Sequence, residues 1–94
     1  MATVKSVQNR IYAIEGFMVR IRYTGGKDVR DDANLPHQYT KYGKMARNAW
    51  TVSQWKRQRF NAVFAGYAVE ILDANGHVCQ GNTKLASVRD SYLP

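Results

Sequence analysis

The 94-residue sequence predicts a small single-domain α+β protein, in which one or two helices pack on one face of an antiparallel sheet of about four strands. Two stretches of alternating apolar and polar residues predict strands, and a helix-start signal between them predicts a helix. The 45% apolar content argues for a folded chain. We expect residues 1–9 to form a flexible arm or an irregular first strand and residues 91–94 to form a tail.

The clearest strand signal extends over residues 10–23, where apolar side chains alternate with Met18, Arg20 and Arg22 in the second half. This alternation predicts one apolar face and one face that presents two arginines. Gly16 interrupts the run and indicates a bulge or a bend. Three short segments follow and are predicted as a glycine-rich turn, a return strand and a loop: residues 24–27, 28–30 and 31–36.

Residues 40–49 have apolar side chains at helical spacing, which puts Tyr42, Met45 and Ala46 on one face and cations elsewhere. Gly43 weakens this predicted helix by about 1 kcal/mol relative to alanine, and an ordered basic loop is the alternative. Either structure would carry the cations of this segment on its surface.

A further helix is predicted over residues 51–61. Thr51 and Gln54 have the three-residue separation of a capping box, and Ser53 is the alternative first residue. Trp55 is expected to face the core. Cations near the end of this segment also match the dipole of a helix, which is a purely structural reason for their presence.

The last third of the chain contains the second alternating stretch, which predicts a strand at Tyr67–Leu72. An Asn-Gly pair within residues 73–76 is a strong signal for a hairpin turn, so residues 77–80 are predicted to return as a strand. Thr83 is a candidate cap for a short C-terminal helix. An edge strand over residues 84–88 is the alternative.

The net charge of +7 is concentrated in one part of the chain. Residues 33–60 contain six Lys or Arg and no Asp or Glu, whereas the remainder contains eight cations and all seven acids. The same window also contains five aromatic residues. Cations interleaved with aromatic rings suit a polyanion with stackable bases. The distribution therefore indicates a local electropositive surface.

No residue pattern predicts catalysis. His37, His77 and Cys79 have neither the spacing of a nucleophile elbow nor the four ligands of a structural zinc site. The carboxylate pairs lack a recognisable metal-dependent nuclease spacing. We therefore expect no enzyme activity, no cofactor and no metal.

The sequence also predicts where the protein resides. No apolar run approaches the roughly 20 residues of a membrane helix, and residues 1–5 lack the apolar core of a secretory signal. The single cysteine excludes an internal disulfide framework and fits a reducing compartment. We expect a cytoplasmic protein without a membrane partner.

These observations together predict a small accessory protein that binds nucleic acid largely through its phosphates. The predicted phosphate contacts come from the basic window and from the polar face of the first strand: Lys41, Lys44, Arg47, Lys56, Arg57, Arg59, Arg20 and Arg22. The candidate stacking residues are Tyr39, Tyr42 and Trp50. The sequence leaves open whether the partner is DNA or RNA.

Two other partners remain open at this point. An interaction or inhibitor protein, of the kind found in phages or mobile elements, would use the same charge to dock on an acidic surface of a host complex. A homodimer would pair sheet edges, since the predicted strand at Tyr67–Leu72 carries little charge.

Overall fold

Four short strands and three helices form the fold in a computed structural model, which describes residues 2–23, 33–40 and 42–93. The strands pair only antiparallel, which confirms the α+β class. They form two separate two-stranded sheets, where the sequence predicted one sheet. None of the helices in these ranges has the length and apolar character needed to cross a membrane.

The chain begins with β1 (Ala2–Thr3) and helix α1 (Val4–Glu15). The Thr3 hydroxyl caps the helix by accepting a hydrogen bond from the Ser6 amide at 3.2 Å. Residues 1–9 were predicted as an arm or an irregular first strand, and only Ala2–Thr3 is a strand. The predictions were wrong over Val4–Glu15, because apolar side chains three and four residues apart give the helix a fully buried face. Its apolar members are Val4, Val7 and Ile11.

Of the bulge and the bend that were predicted at Gly16, the bend is observed, and it marks the end of α1. The Gly16 φ of +84° is the left-handed conformation that glycine adopts at low cost, and the Gly16 amide donates to the Tyr12 carbonyl at 2.9 Å. Strand β2 (Met18–Tyr23) follows at once. The predicted strand was therefore correct only in its second half.

Strand β2 pairs antiparallel with β4 (Tyr67–Leu72), and their registers place Val19 opposite Ile71 and Ile21 opposite Val69. These four side chains are buried, as the alternation predicted. The smaller sheet pairs β1 with β3 (Asn34–Leu35). The turn predicted at 24–27, the return strand predicted at 28–30 and the first two residues of the predicted 31–36 loop lie outside the described residues.

The third element of the core is α2, a continuous helix with α-helical turns at Val52–Trp55 and Asn61–Val63 and a π-helical turn at Lys56–Phe60 between them. Thr51 and Gln54 form the predicted capping box. Trp55, Phe60 and Phe64 are fully buried. Because Phe60 follows Trp55 by five residues, the wider π turn is what brings both rings to the core.

The predicted turn after β4 is present, with Gly76 at a φ of +81° and the Asp73 amide donating to the His77 carbonyl at 2.9 Å. The return segment makes a single bridge between Leu72 and Val78, not a full strand. Helix α3 (Leu85–Asp90) then packs Leu85 and Val88 into the core. It begins after Lys84 and has no side-chain cap, so Thr83 does not serve as the predicted cap.

Candidate nucleic-acid interface

The basic window surrounds a fully buried carboxylate, that of Glu15 at the end of α1. The Tyr39 hydroxyl donates to its Oε2 at 2.6 Å, and the Ala46 amide donates to its Oε1 at 2.8 Å. Burial, together with the hydrogen bond to Glu15 and the charge of Glu15, raises the pKa of Tyr39 far above its usual value. Tyr39 therefore acts as a neutral hydrogen-bond donor inside the protein.

Two guanidinium groups balance this buried charge. Arg59 of α2 places Nη1 at 2.6 Å from Glu15 Oε2, and Arg89 of α3 places Nη2 at 3.2 Å from Oε1. Arg89 Nε also donates to the Glu15 carbonyl at 2.6 Å. We call Glu15, Tyr39, Arg59 and Arg89 the Glu15 cluster. It joins all three helices at one point.

The same two arginines hold the backbone of the segment between β3 and α2. Arg59 Nη1 donates to the Lys44 carbonyl at 2.6 Å, and Arg89 Nη1 donates to the Ala46 carbonyl at 2.9 Å. Arg89 also donates to Asn48 Oδ1 at 2.7 Å. The backbone groups that a helix would pair internally are thus bound by side chains.

This segment therefore forms an ordered loop, and the helix predicted over residues 40–49 was wrong. The described residues 42–49 contain bends and a turn but no helix. Ala46 is buried as the predicted apolar face required, but Met45 is 52% exposed. The ordered basic loop, which the sequence left open as the alternative, is the structure observed over residues 42–49.

Arg59 also fixes the aromatic residues of the window. Its guanidinium carbon lies 4.4 Å from the centre of the Tyr42 ring and 5.8 Å from the centre of the Trp50 ring. The Tyr42 hydroxyl donates to the Gln58 carbonyl of α2 at 3.3 Å. Tyr42 and Trp50 are half-buried in this arrangement. Tyr39 is fully buried, so its prediction as a stacking residue was wrong.

The predicted phosphate contacts fall into two groups in the structure. Lys44, Arg47 and Arg57 are exposed, and Lys56 is half-buried. We call these four residues the basic surface. Lys41 lies outside the described residues.

The second group of predicted cations is bound to carboxylates. The Arg59 side chain is only 14% exposed, because it reaches inward to Glu15. Arg22 Nε lies 2.6 Å from Glu70 Oε1 on the polar face of the larger sheet, and Arg20 Nη1 lies 3.7 Å from the same oxygen. These arginines are less suited to phosphate contact than the basic surface, because each already shares its charge with an acid.

Few acids reach the surface in the ranges that the structure describes. Glu15 is buried, and Glu70 is half-buried beside two arginines. Asp73 is half-buried and accepts hydrogen bonds from the Asn75 and His77 amides at 2.9 and 3.0 Å. Asp90 is exposed. The surface field of this part of the protein is consequently dominated by cations.

Sequence reasoning missed Glu15, the residue that organises the site. A signal for it was present, since Glu15 is the only acid among residues 1–27 and continues the helical spacing of Val4, Val7 and Ile11. An acid on an apolar helix face needs a partner when it is buried. Its partners, however, lie far along the chain.

No other described feature points to chemistry. A groove of about 690 Å³ is lined mainly by alcohol and amide side chains, and His37 is the one titratable residue among its described lining. Over the ranges given above, no three His, Cys, Asp or Glu side chains come together in a way that would hold a metal ion. A comparison of the chain with protein-family models, curated proteins and solved structures finds no match.

Proposed function

We propose that this protein binds nucleic acid by contacting phosphates with the basic surface, Lys44, Arg47, Lys56 and Arg57. Such contacts set affinity and position without reading sequence. The protein is then a cytoplasmic binding protein without enzyme activity. The proposal is supported by charge, by exposure and by the way in which the loop is attached to the helix.

The observation that carries the proposal is the hydrogen bond from Arg59 to the Lys44 carbonyl. Arg59 belongs to the helix that presents Lys56 and Arg57, and Lys44 belongs to the loop that also presents Arg47. One side chain thus connects the backbone of the loop that carries one pair of cations to the helix that carries the other pair. The Tyr42 hydroxyl makes a second connection to the same turn of the helix.

The local charge balance favours a polyanion. Residues 33–60 contain no acid, and the one carboxylate beneath them, Glu15, is buried between two guanidinium groups. No exposed acid of this window would therefore repel a phosphate. A field of one sign raises the association rate of a highly charged partner and makes binding depend steeply on salt.

The backbone of α2 adds a second kind of support. Lys56 and Arg57 lie in the π-helical turn, and π turns within helices occur frequently at functional sites. The extra residue of this turn lets the buried rings keep their contacts while the cations stay outside. Two of the four side chains that would meet phosphates are thus on a helix whose buried side is packed in the core.

The test is a titration of double-stranded and single-stranded DNA and RNA across a series of salt concentrations. The first variant replaces Lys44, Arg47 and Arg57 by alanine. The matched control replaces Lys5, Arg10 and Arg20 by alanine. These residues are also exposed, and their replacement removes the same net charge. We expect the first variant to flatten the log–log salt slope by roughly 2–3 units and the control to flatten it by less than about 1 unit.

Equal slopes for the two variants would overturn the assignment of the basic surface. Failure of the wild-type protein to bind any nucleic acid at about 50 mM salt would overturn the function itself, because phosphate contacts are strongest at low salt. A protein that binds an acidic protein surface, the other partner that the charge suits, would give this second result.

A further inference from the structure

The loop of residues 42–50, which carries Lys44 and Arg47, exposes one large apolar side chain to solvent. Met45 is 52% exposed and follows Lys44 directly, with Arg47 two residues later. The other large apolar side chains that the described ranges expose are Tyr12, Tyr23, Val78 and Leu93. None of them lies in the acid-free window of residues 33–60.

The exposure of Met45 does not come from a loose backbone. The Lys44 carbonyl, just before Met45, accepts a hydrogen bond from Arg59. The Ala46 amide, just after it, donates to buried Glu15. The next carbonyl, that of Ala46, accepts from Arg89, and the Ala46 side chain is 2% exposed. The loop is therefore fastened on both sides of Met45, and its side chain is presented outward on a fixed support.

Methionine is suited to an irregular apolar contact, because its side chain is unbranched, flexible and polarisable. Proteins that bend duplex DNA insert such side chains between base steps from the minor groove, while nearby cations hold the phosphates. Lys44 and Arg47 flank Met45 in the sequence and are exposed, so they can contact phosphates next to an inserted Met45. Among the candidate stacking residues of the window, Tyr39 is buried, and Tyr42 and Trp50 are half-buried beside Arg59.

We propose that Met45 is an apolar wedge that inserts between base pairs of duplex DNA when the basic surface contacts the backbone. This inference rests on the proposed function and names its partner as double-stranded DNA. The wedge adds affinity and bends the duplex, and the cations supply the salt-dependent part of the binding. The contribution of Met45 and that of the cations can therefore be measured separately.

The experiment compares the wild-type protein with Met45→Ala, and uses Val78→Ala as the control at a residue of similar exposure, 50%. Affinity and salt slope are measured on a short duplex, and bending is measured by energy transfer between dyes at its ends. We expect Met45→Ala to weaken binding about tenfold and to reduce the bend, with an unchanged salt slope. Met45→Leu should retain most of both effects, and Val78→Ala should change neither.

The outcomes separate the two proposals. If Met45→Ala binds and bends the duplex like the wild type while the basic-surface variant loses its salt slope, the wedge is wrong and phosphate binding stands. Preferential binding to single strands or to double-stranded RNA would likewise overturn the wedge alone. If the wild type binds no nucleic acid, both proposals fall.

Discussion

Arg59 Nη1 lies 2.6 Å from Glu15 Oε2, and this ion pair joins the central helix α2 to the end of α1. The Glu15 side chain is fully buried and that of Arg59 is 14% exposed, so both charges have lost most of their hydration. A pair of this kind adds little net stability over apolar residues, but breaking it is costly. Its main effect here is to fix the loop that carries Lys44.

Replacing Glu15 by glutamine should strongly destabilise the fold. The substitution leaves Arg59 and Arg89 next to each other without a counter-charge, and we expect a loss of about 3–5 kcal/mol in the free energy of unfolding measured with urea. The control is Glu70→Gln, which affects a half-buried pair with Arg22 and should cost no more than about 1 kcal/mol. Equal losses for the two variants would contradict the central position given to Glu15.

The fold should lose stability at alkaline pH. The pKa of Tyr39 is raised in the folded protein, chiefly by burial, and burial also raises the pKa of Tyr92. Above the unfolded-state value of about 10, the unfolded chain releases protons that the folded chain retains, so the free energy of unfolding falls as pH rises. Urea titrations between about pH 8 and 11 would measure this fall.

Tyr39→Phe should make that alkaline loss of stability smaller, because it removes the tyrosine hydroxyl whose pKa folding raises far above its usual value. Tyr23→Phe removes an exposed tyrosine hydroxyl away from Tyr39 and Tyr92, and we expect it to keep the alkaline loss of the wild type. Some alkaline loss remains in Tyr39→Phe, because Tyr92 is still present. A profile for Tyr39→Phe as steep as that of the wild type would argue against this role of the buried hydroxyl.

Gly81 lies close to the Ser53 side chain at the start of α2. A Cβ atom at Gly81 would lie 2.3 Å from Ser53 Oγ and 3.6 Å from Ser53 Cβ. The Ser53 hydroxyl is exposed and can rotate away, so Gly81→Ala should cost no more than about 1 kcal/mol in thermal or urea unfolding. Adding Ser53→Ala removes the close oxygen and leaves an ordinary contact, so most of the loss should be restored. A double variant no more stable than Gly81→Ala would show that the clash is not the cause.

The capping box at the start of α2 should contribute measurably to stability. The Thr51 hydroxyl accepts from the Gln54 amide at 3.2 Å, and Thr51→Ala should cost about 1 kcal/mol. Thr83→Ala is a natural comparison, because Thr83 precedes α3 without serving as its cap. We expect that change to stay within about 0.5 kcal/mol in the same unfolding measurement.

The elements that the sequence predicted well are those with local signals. Strands β2 and β4 follow from two-residue alternation, and the start of α2 follows from Thr51 and Gln54. Helix α1 was missed because the apolar residues just before Gly16 fit both periods. The spacing of Val4 and Val7 distinguishes the helical period from the strand period. These two residues lie in the segment that was predicted to be an arm or an irregular strand.

The site was only half accessible to sequence reasoning. The position of the cations in the chain was visible, but the use of Arg59 was not, because Glu15 is 44 residues away. The loop at residues 40–49 has the apolar spacing of a helix. Its backbone groups form hydrogen bonds with the side chains of Glu15, Arg59 and Arg89 in place of those of a helix. No local sequence pattern encodes such distant contacts.

The last helix has a consequence for the order in which the protein folds. Arg89 reaches the Glu15 carbonyl, and the Tyr92 hydroxyl accepts from the Met18 amide at 2.9 Å and donates to the Leu72 carbonyl. The first two contacts each span 74 positions of the chain. A growing chain on the ribosome cannot make them until these residues have emerged, and contacts of such long range slow folding. The loop at Met45 therefore takes its final shape only after Arg89, which binds the Ala46 carbonyl, has been synthesised.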